Sequence, residues 1–249
     1  NLLTLSATDL NKIRGVDVSM IFQDPMTALN PYLKISQQMT EVLIEHQGAD
    51  AASARKRSLE LLDQVGIPDA RQRIDLYPHE FSGGMRQRVM IATALLCEPK
   101  LLIADEPTTA LDVTIQAQIL ELLHRLRAER EMAVLLITHD LGLVAGLVDR
   151  VLVMYGGRIV EEGPVFSMFE SPAHPYTKGL LGSSPRLDQA KAAALTTIPG
   201  QPPNLQALPT GCAFADRCAS MIDRCRTERP NLRKVAADRA KACHLEQAP

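Results

Sequence analysis

The chain has 249 residues, of which 46% are hydrophobic and 22% are charged, and its formal net charge is −2. This composition is ordinary for a globular protein, and the charge balance gives no reason to expect a nucleic-acid partner. No apolar run approaches the roughly 18 residues that a membrane-spanning helix needs. The length allows one large domain, or one domain with an extension.

Residues 1–26 are predicted to be part of a central sheet. An apolar strand in this stretch ends at Ile21 and leads into Phe22-Gln23-Asp24-Pro25. Residues 27–80 then become helical and polar, after a turn at Leu29-Asn30-Pro31. Helices are predicted there over 37–46 and over 53–65, and Gly66 closes the second one.

A glycine turn opens the next segment, 81–163. It lies in the run Phe81-Ser82-Gly83-Gly84-Met85-Arg86-Gln87-Arg88 and precedes a helix that reaches about Leu96. Glycines let backbone N–H groups approach a phosphate, and a helix N-terminus adds partial positive charge. By itself, Ser82 could equally be the N-cap of a helix that binds no ligand.

A carboxylate pair follows the short apolar run Leu101-Leu102-Ile103-Ala104, which is predicted to be a parallel strand buried on both faces. Ligands of open α/β sheets bind at the carboxyl ends of the strands. Asp105 at that end can hold Mg²⁺ directly or through water. Glu106 can take a proton from an attacking water molecule. Alone, the pair could also be two surface carboxylates at a turn.

Further polar residues flank a predicted helix and strand. Ala110-Leu111-Asp112 precedes a helix that Asp112 caps, and we assign its apolar stripe to the core: Ile115, Ile119, Leu122, Leu123 and Leu126. A strand over 133–137 leads into Thr138-His139-Asp140. Without a ligand, Asp112 would be only a helix N-cap. His139 would be only a histidine whose ring nitrogens are hydrogen-bonded within the protein. A hairpin with a Gly156-Gly157 turn is predicted over 151–162.

Segment 164–249 is rich in proline and is predicted to be an extended appendage rather than a second sheet. It contains Cys212, Cys218, Cys225 and Cys243, spaced C-x5-C-x6-C-x17-C. Four thiolates in a loop-rich tail suit a tetrahedral metal site or an iron–sulfur cluster. The spacing differs from that of a zinc ribbon. Structural zinc, His244 in place of one thiol, and scattered free thiols remain open alternatives. The fifth cysteine, Cys97, is expected to be a small buried hydrophobe.

In order and spacing, the glycine-turn run and the run Leu101–Pro107 resemble the ATP-binding subunits of ABC transporters. Four other runs resemble the oligopeptide/dipeptide importer branch of that family: Ile21–Pro31, Thr108–Gln116, Ser171–Thr177 and Pro199–Pro203. The resemblance covers essentially the whole chain. It implies an α/β fold of the P-loop NTPase, ABC ATPase type, with a partial core sheet, a helical subdomain and a loop-rich C-terminal extension.

The resemblance also implies roles for individual residues. Gln23 is expected to sense Mg²⁺ and the attacking water, Asp105 to support Mg²⁺, Glu106 to be the general base, and His139 to contact the γ-phosphate. ATP-binding residues carried over from the family are Ser82, Gly83, Gly84, Gln87 and, at a dimer interface, Asp112. A comparable four-cysteine pattern is associated in this branch with a [4Fe–4S] cluster.

The sequence contains no Gly-x-x-x-x-Gly-Lys-Ser/Thr motif. In P-loop ATPases that loop holds the β- and γ-phosphates. In the family it lies upstream of the Gln23 segment, so we expect the chain to be the C-terminal portion of a longer protein. Alone, it is expected to bind ATP poorly and to hydrolyse none. In a reducing cytosol, its five cysteines are expected to be free thiols.

The expected function is ATP hydrolysis that powers import of dipeptides or oligopeptides. The implied partners are two transmembrane permease subunits, a second related ATPase in a heterodimer and, indirectly, an extracytoplasmic peptide-binding protein. The expected location is the cytoplasmic face of the bacterial inner membrane. Alternative functions are an ATPase of the same branch for nickel, glutathione or another small solute, and a degenerate half-site partner. A soluble ABC ATPase of translation or DNA repair would need a basic surface or coiled-coil insertions, and the sequence has neither.

Overall fold

The computed structural model describes residues 1–109, 111–183 and 197–246, and only the backbone of Leu143. The chain divides into two compact units, Asn1–His139 and Asp140–Pro249. Each unit is described by itself below.

The first unit contains a three-stranded parallel sheet in the order β1-β2-β3. Its strands are β1 (Val18–Ile21), β2 (Leu101–Asp105) and β3 (Ala133–Ile137). Ile21 pairs with Ala104, and Asp105 pairs with Ile137, so the three strands end at one edge of the sheet. This edge receives the segments that follow each strand, and all the predicted catalytic side chains lie in those segments.

Burial alternates along β2. Leu102 and Ala104 are fully buried, whereas Leu101 and Ile103 are half-buried. The prediction that this strand is buried on both faces was therefore wrong, because among the described residues only one face of β2 is fully buried. Successive side chains of a strand point to opposite faces. Only the face that carries Leu102 and Ala104 packs into the hydrophobic core of this unit.

Seven α-helices accompany this sheet in the described part of the first unit: α1 (Ala7–Ile13), α2 (Pro25–Ala28), α3 (Ile35–Gln47), α4 (Ala51–Gln64), α5 (Ala70–Arg73), α6 (Gly83–Ala94) and α7 (Val113–Arg130). Helices α3 and α4 confirm the two helices predicted between residues 27 and 80. Gly66 follows α4 with a φ of 79°, a conformation that glycine adopts without steric cost. The predicted stripe of α7 is also confirmed as core, because all its members are buried except Ile115, which is partly buried against the core.

The second unit contains a four-stranded antiparallel sheet in the order β4-β5-β7-β6. Strands β4 (Arg150–Tyr155) and β5 (Arg158–Pro164) form the predicted hairpin. Gly156 and Gly157 turn between them with φ values of 56° and 74°, as a two-residue turn with positive φ at both positions requires. The described helices of this unit are α8 (Leu141–Val144), α9 (Val165–Glu170), α10 (Pro175–Ser183) and α11 (Arg224–Thr227).

The other two strands of this sheet correct the prediction of an extended appendage. Residues of the tail form β6 (Arg233–Ala236) and β7 (Arg239–Lys241), and β7 pairs with β5. The prolines that suggested an extended chain precede residue 231, and the two strands follow them. Both strands are short and rich in Arg and Lys, so they lack the apolar alternation that identifies a strand in a sequence.

A buried carboxylate also fixes the tail to the sheet. Glu161 on β5 has no exposed surface and accepts hydrogen bonds from the backbone N–H groups of Ala173 (2.7 Å) and His174 (2.8 Å). The guanidinium of Arg239 on β7 is 3.0 Å from the same carboxylate. Glu161 therefore joins three segments of the second unit. Within the described residues, no helix has the length and apolar character needed to cross a membrane.

Candidate functional site

Glu106 is the centre of the candidate site. It follows β2 in a left-handed conformation, with φ of 44°, and its backbone N–H donates a hydrogen bond of 2.9 Å to the carbonyl of Ile137 at the end of β3. A positive φ is uncommon for residues other than glycine and costs free energy. The surrounding strand ends therefore hold Glu106 in one orientation at the edge of the sheet.

Three side chains converge on the Glu106 carboxylate. Gln23, which follows β1, donates from Nε2 to Oε2 at 2.8 Å. Thr109 donates from Oγ1 to the same oxygen at 2.8 Å, and Nδ1 of His139 is 3.1 Å from Oε1. The structure thus brings together Gln23, Glu106 and His139, the three residues predicted to be catalytic, although they come from separate segments.

Thr109 was missed by sequence reasoning. Its hydroxyl reaches Glu106 because the chain turns after β2, with a backbone hydrogen bond of 3.1 Å from Thr109 N–H to the Glu106 carbonyl. The sequence contains a weak signal for this contact, since a threonine three residues after a carboxylate at a turn is placed to donate back to it.

The environment of Glu106 favours the ionised form of its carboxylate. The hydrogen bond from Thr109 and then that from His139 lower the pKa of Glu106 below its ordinary value, while partial burial acts in the opposite direction. Its side chain is 25% exposed. A charged carboxylate that water can reach is suited to accept a proton from that water.

Asp105 ends β2 beside this cluster and is half-buried. Its carboxylate, with the amide oxygen of Gln23 from the neighbouring strand end, supplies the hard oxygen donors that Mg²⁺ prefers. Within the described ranges, no three His, Cys, Asp or Glu side chains gather where they could hold one ion.

The glycine turn begins α6, and its two glycines differ in their surroundings. Ser82 caps the helix by accepting a hydrogen bond of 3.4 Å from Met85 N–H. A Cβ atom on Gly84 would lie 3.1 Å from Cγ2 of Ile115 on α7, whereas a Cβ on Gly83 would meet nothing within 4 Å. Packing accounts for Gly84 but not for Gly83. The open space at Gly83, at a helix N-terminus, fits the approach of an anion.

Gln87 connects α6 to the loop that carries Glu106. Its side chain is 1% exposed, and Nε2 donates a hydrogen bond of 2.6 Å to the carbonyl of Pro107. The two arginines of the motif also bind backbone carbonyls, Arg86 that of Pro78 at 2.7 Å and Arg88 that of Val65 at 2.5 Å. These contacts fix the position of α6. A contact of Gln87 with ATP remains a prediction.

Asp112 lies at the start of α7, where its Oδ1 accepts a hydrogen bond of 3.0 Å from Ile115 N–H. This contact confirms Asp112 as a helix cap. Ala110, two residues before Asp112, lies outside the described residues. A role for Asp112 at a dimer interface remains a prediction.

The four cysteines of the tail line one small cavity of the second unit, together with His174 and Phe214. Burial raises the pKa of the Cys212 and Cys218 thiols, and the neighbouring cysteines act in the same direction. Burial also lowers the pKa of His174 to about 4, so this side chain is neutral at pH 7. His244 also lines the cavity, but its Nε2 is hydrogen-bonded to the carbonyl of Glu228 at 2.9 Å.

The thiols share a cavity, yet no group of three metal-binding side chains within the described ranges is placed to hold a single ion. All five cysteines are free thiols. The fifth, Cys97, is confirmed as a buried core residue of the first unit.

Comparison with known proteins agrees with the geometry. The family described as "ABC transporter" matches residues 3–109, and the family described as "Oligopeptide/dipeptide transporter, C-terminal region" matches residues 160–225. The oligopeptide transport ATP-binding protein OppD of Salmonella typhimurium is 54% identical over 242 residues, which are 97% of this chain and 72% of that protein. The dipeptide transport ATP-binding protein DppD of Bacillus subtilis is 56% identical over 225 residues, which are 90% of this chain and 67% of that protein.

A solved structure is also similar to the chain. A dimeric ATP-binding cassette in a post-hydrolysis state, bound to ADP and Pi, superimposes with a TM-score of 0.58 at 31% identity. The match covers 65% of this chain and 68% of the cassette. The predicted fold class is confirmed by these similarities.

Proposed function

Because this chain belongs to the family of ATP-binding proteins of oligopeptide and dipeptide ABC transporters, we propose that it is the ATP-hydrolysing subunit that powers import of short peptides. The observation that carries the proposal is the convergence of Gln23, Thr109 and His139 on Glu106. That arrangement holds an ionised carboxylate where water can reach it, as ATP hydrolysis requires.

In the proposed reaction, Glu106 accepts a proton from the water that attacks the γ-phosphate of ATP. Gln23 contacts one oxygen of the Glu106 carboxylate and His139 contacts the other. Together these contacts fix the orientation of the carboxylate toward the attacking water. Asp105 and Gln23 would hold Mg²⁺, which when bound neutralises charge that develops on the phosphates. Thr109 contributes a hydrogen bond to Oε2 that favours the ionised form of Glu106.

We propose that the glycine turn serves a second ATP-binding subunit. Ser82, Gly83 and Gly84 would bind the phosphates of ATP held by the partner, with Gln87 supporting them from within α6. Asp112 would lie at the same dimer interface. The open space at Gly83 supports this role, because backbone N–H groups at a helix N-terminus attract phosphate. The partner is a related ATPase in a heterodimer.

The proposed setting is the cytoplasmic face of a bacterial inner membrane. Closing and opening of the ATPase dimer would be transmitted through residues 27–80 to two permease subunits, and an extracytoplasmic peptide-binding protein would deliver the peptide. No phosphate-loop motif occurs in this chain. We therefore propose that ATP is hydrolysed only by a form of the protein that also carries such a loop. Cargo such as nickel or glutathione, and a degenerate half-site partner, remain the alternative functions.

Peptide uptake with the permeases, in a form of the protein that carries a phosphate loop, tests this function. Ser82→Arg should abolish uptake while ATP still binds to the subunit's own phosphate loop, because the substituted side chain blocks the site offered to the partner. Ser6→Arg is the matched control, since Ser6 is also an N-cap serine but caps α1. Normal uptake of several peptides by the Ser82→Arg variant would reject the proposal, and uptake of nickel or glutathione instead of peptides would favour an alternative cargo.

For the four-cysteine cavity we propose a [4Fe–4S] cluster with Cys212, Cys218, Cys225 and Cys243 as ligands. The proposal is supported by the one cavity that all four cysteines line. When bound, the cluster would supply a structural link or a one-electron centre. Anaerobically purified protein should be brown and should lose its iron in Cys218→Ser, whereas Cys97→Ser should retain it. Colourless protein that contains zinc would contradict the cluster.

A further inference from the structure

The second unit contains a cleft of about 450 Å³ that the proposed function does not use. It lies between the turn of the β4–β5 hairpin, residues 208–214, and residues 229–232. This volume falls within the range of roughly 300–1,000 Å³ that is usual for sites of small ligands. The cleft is distinct from the Glu106 cluster, which belongs to the first unit.

The lining of the cleft combines an apolar surface with positive charge. Its large apolar residues are Met154, Ile159, Leu208, Phe214 and Leu232. Arg158 and Arg229 also line it, while no Asp or Glu does so among the described residues. A pocket with apolar walls and uncompensated guanidinium groups is complementary to an apolar molecule that carries a carboxylate.

The two arginines are arranged differently at the cleft. Nη2 of Arg229 donates a hydrogen bond of 2.7 Å to the carbonyl of Pro209, which holds the guanidinium at the cleft and leaves its other N–H groups to donate elsewhere. Arg158 is exposed beside the hairpin turn. Arg229 is therefore the prepared anion contact, and Arg158 is a second one that can close over a bound molecule.

Close packing at the hairpin turn fixes one wall of the cleft. A Cβ atom on Gly156 would lie 3.0 Å from Cβ of Ala213, whereas one on Gly157 would meet nothing within 4 Å. One side of the turn is thus packed against the tail, and the other side faces open space. The wall exists without a ligand, which lowers the ordering cost of binding.

The cleft also shares a wall with the cysteine cavity, since Cys212, Phe214 and Pro230 line both. A molecule in the cleft would therefore lie next to the residues that enclose the thiols. We propose that this cleft binds a small apolar carboxylate, with its chain against Met154 and Leu232 and its carboxylate on Arg229 and Arg158. The proposal does not depend on peptide import.

Calorimetric titration of the whole 249-residue chain tests the site with two acids and their neutral analogues. The probes are N-acetyl-Leu-Leu and its C-terminal amide, and decanoate and decanamide. Each acid that binds should do so about tenfold or more tightly than its amide, because the amide cannot form a charge-assisted hydrogen bond. Binding of the peptide alone would identify a peptide-type ligand, and binding of decanoate alone a fatty-acid-type ligand.

Variants locate the binding. Arg229→Gln should weaken the acid about tenfold and leave the amide unchanged, whereas Arg224→Gln, which removes an arginine outside the cleft, should have no effect. Met154→Glu should also weaken the acid by repulsion. Leu152→Glu is the matched control, because Leu152 and Met154 are exposed residues of one strand and only Met154 lines the cleft. The proposal is overturned if neither acid binds, if acid and amide bind equally, or if Leu152→Glu weakens binding as much as Met154→Glu.

Discussion

Nε2 of Gln23 donates a hydrogen bond of 2.8 Å to Oε2 of Glu106, although the two residues are 83 positions apart in the chain. The contact forms because β1 and β2 are neighbouring parallel strands that end at the same edge. His139 joins it from the end of β3. Three strand ends thus assemble one carboxylate-centred site, as is usual for open α/β sheets.

Removal of the Thr109 hydroxyl should change the acidity of Glu106. We expect Thr109→Val to raise the pKa of Glu106 toward its ordinary value of 4.5, because the hydrogen bond from Thr109 is the largest cause of the lowered pKa. A carbon-detected NMR titration of the Glu106 carboxyl measures it. Thr109→Ser keeps a hydroxyl and should keep the lowered pKa. Equal pKa values in all three proteins would show that Thr109 has no such role.

The same shift predicts the pH dependence of stability. Because folding lowers the pKa of Glu106, its ionised carboxylate stabilises the fold at pH values above 4.5, and this contribution is lost as the pH falls through the lower folded value. The acid limb of the stability profile should therefore be shallower in Thr109→Val than in the unaltered protein. Denaturant melts between pH 3 and pH 6 test the sign, and a steeper acid limb in the variant would contradict it.

Gly83 and Gly84 should respond differently to alanine. Gly83→Ala should leave the melting temperature unchanged or raise it, because its Cβ would meet no atom within 4 Å and alanine favours a helix. ATP-driven dimerisation should nevertheless fall. Gly84→Ala pushes a methyl group against Ile115 and should lower the melting temperature relative to Gly83→Ala. Full dimerisation in Gly83→Ala would argue that the open space holds no phosphate.

Loss of Arg239 should destabilise the second unit. Arg239→Met removes the ion-pair partner of the fully buried Glu161, and breaking a buried ion pair costs about 3 kcal/mol or more. Denaturant unfolding measures the loss. Adding Glu161→Gln should recover part of it, because the charge is removed. Arg224→Met disrupts an exposed pair with Glu228 and should leave unfolding unchanged. Similar stability of Arg239→Met and Arg224→Met would refute this account.

The parts of the fold that follow local periodicity could be predicted from the sequence. Helices α3, α4 and α7 and the β4–β5 hairpin were expected because apolar spacing and glycine positions are local signals. Strands β6 and β7 could not be expected, since β7 pairs with β5, which lies about 80 residues away in the chain, and β6 joins the sheet only through β7. Short charged strands have no pattern of their own.

The candidate site shows the same division. Glu106 was predicted from the strand that precedes it, and Gln23 and His139 from the resemblance to ABC ATPases. The structure brings the three together. Thr109 was missed because its contact depends on how the chain turns after Glu106. The positive φ of Glu106 is likewise a property of the assembled edge. The unused space at Gly83 is visible only when its neighbours are placed around it.

The central claim is that Glu106 is the general base of ATP hydrolysis, and the ATPase rate of Glu106→Gln tests it most directly. The variant is made in a form of the protein that carries a phosphate loop, next to Glu121→Gln, which alters an exposed glutamate of α7. Glu106→Gln should lower turnover about 100-fold or more and accumulate ATP-bound dimers, while Glu121→Gln should turn over normally. Turnover of Glu106→Gln equal to that of Glu121→Gln would contradict the claim.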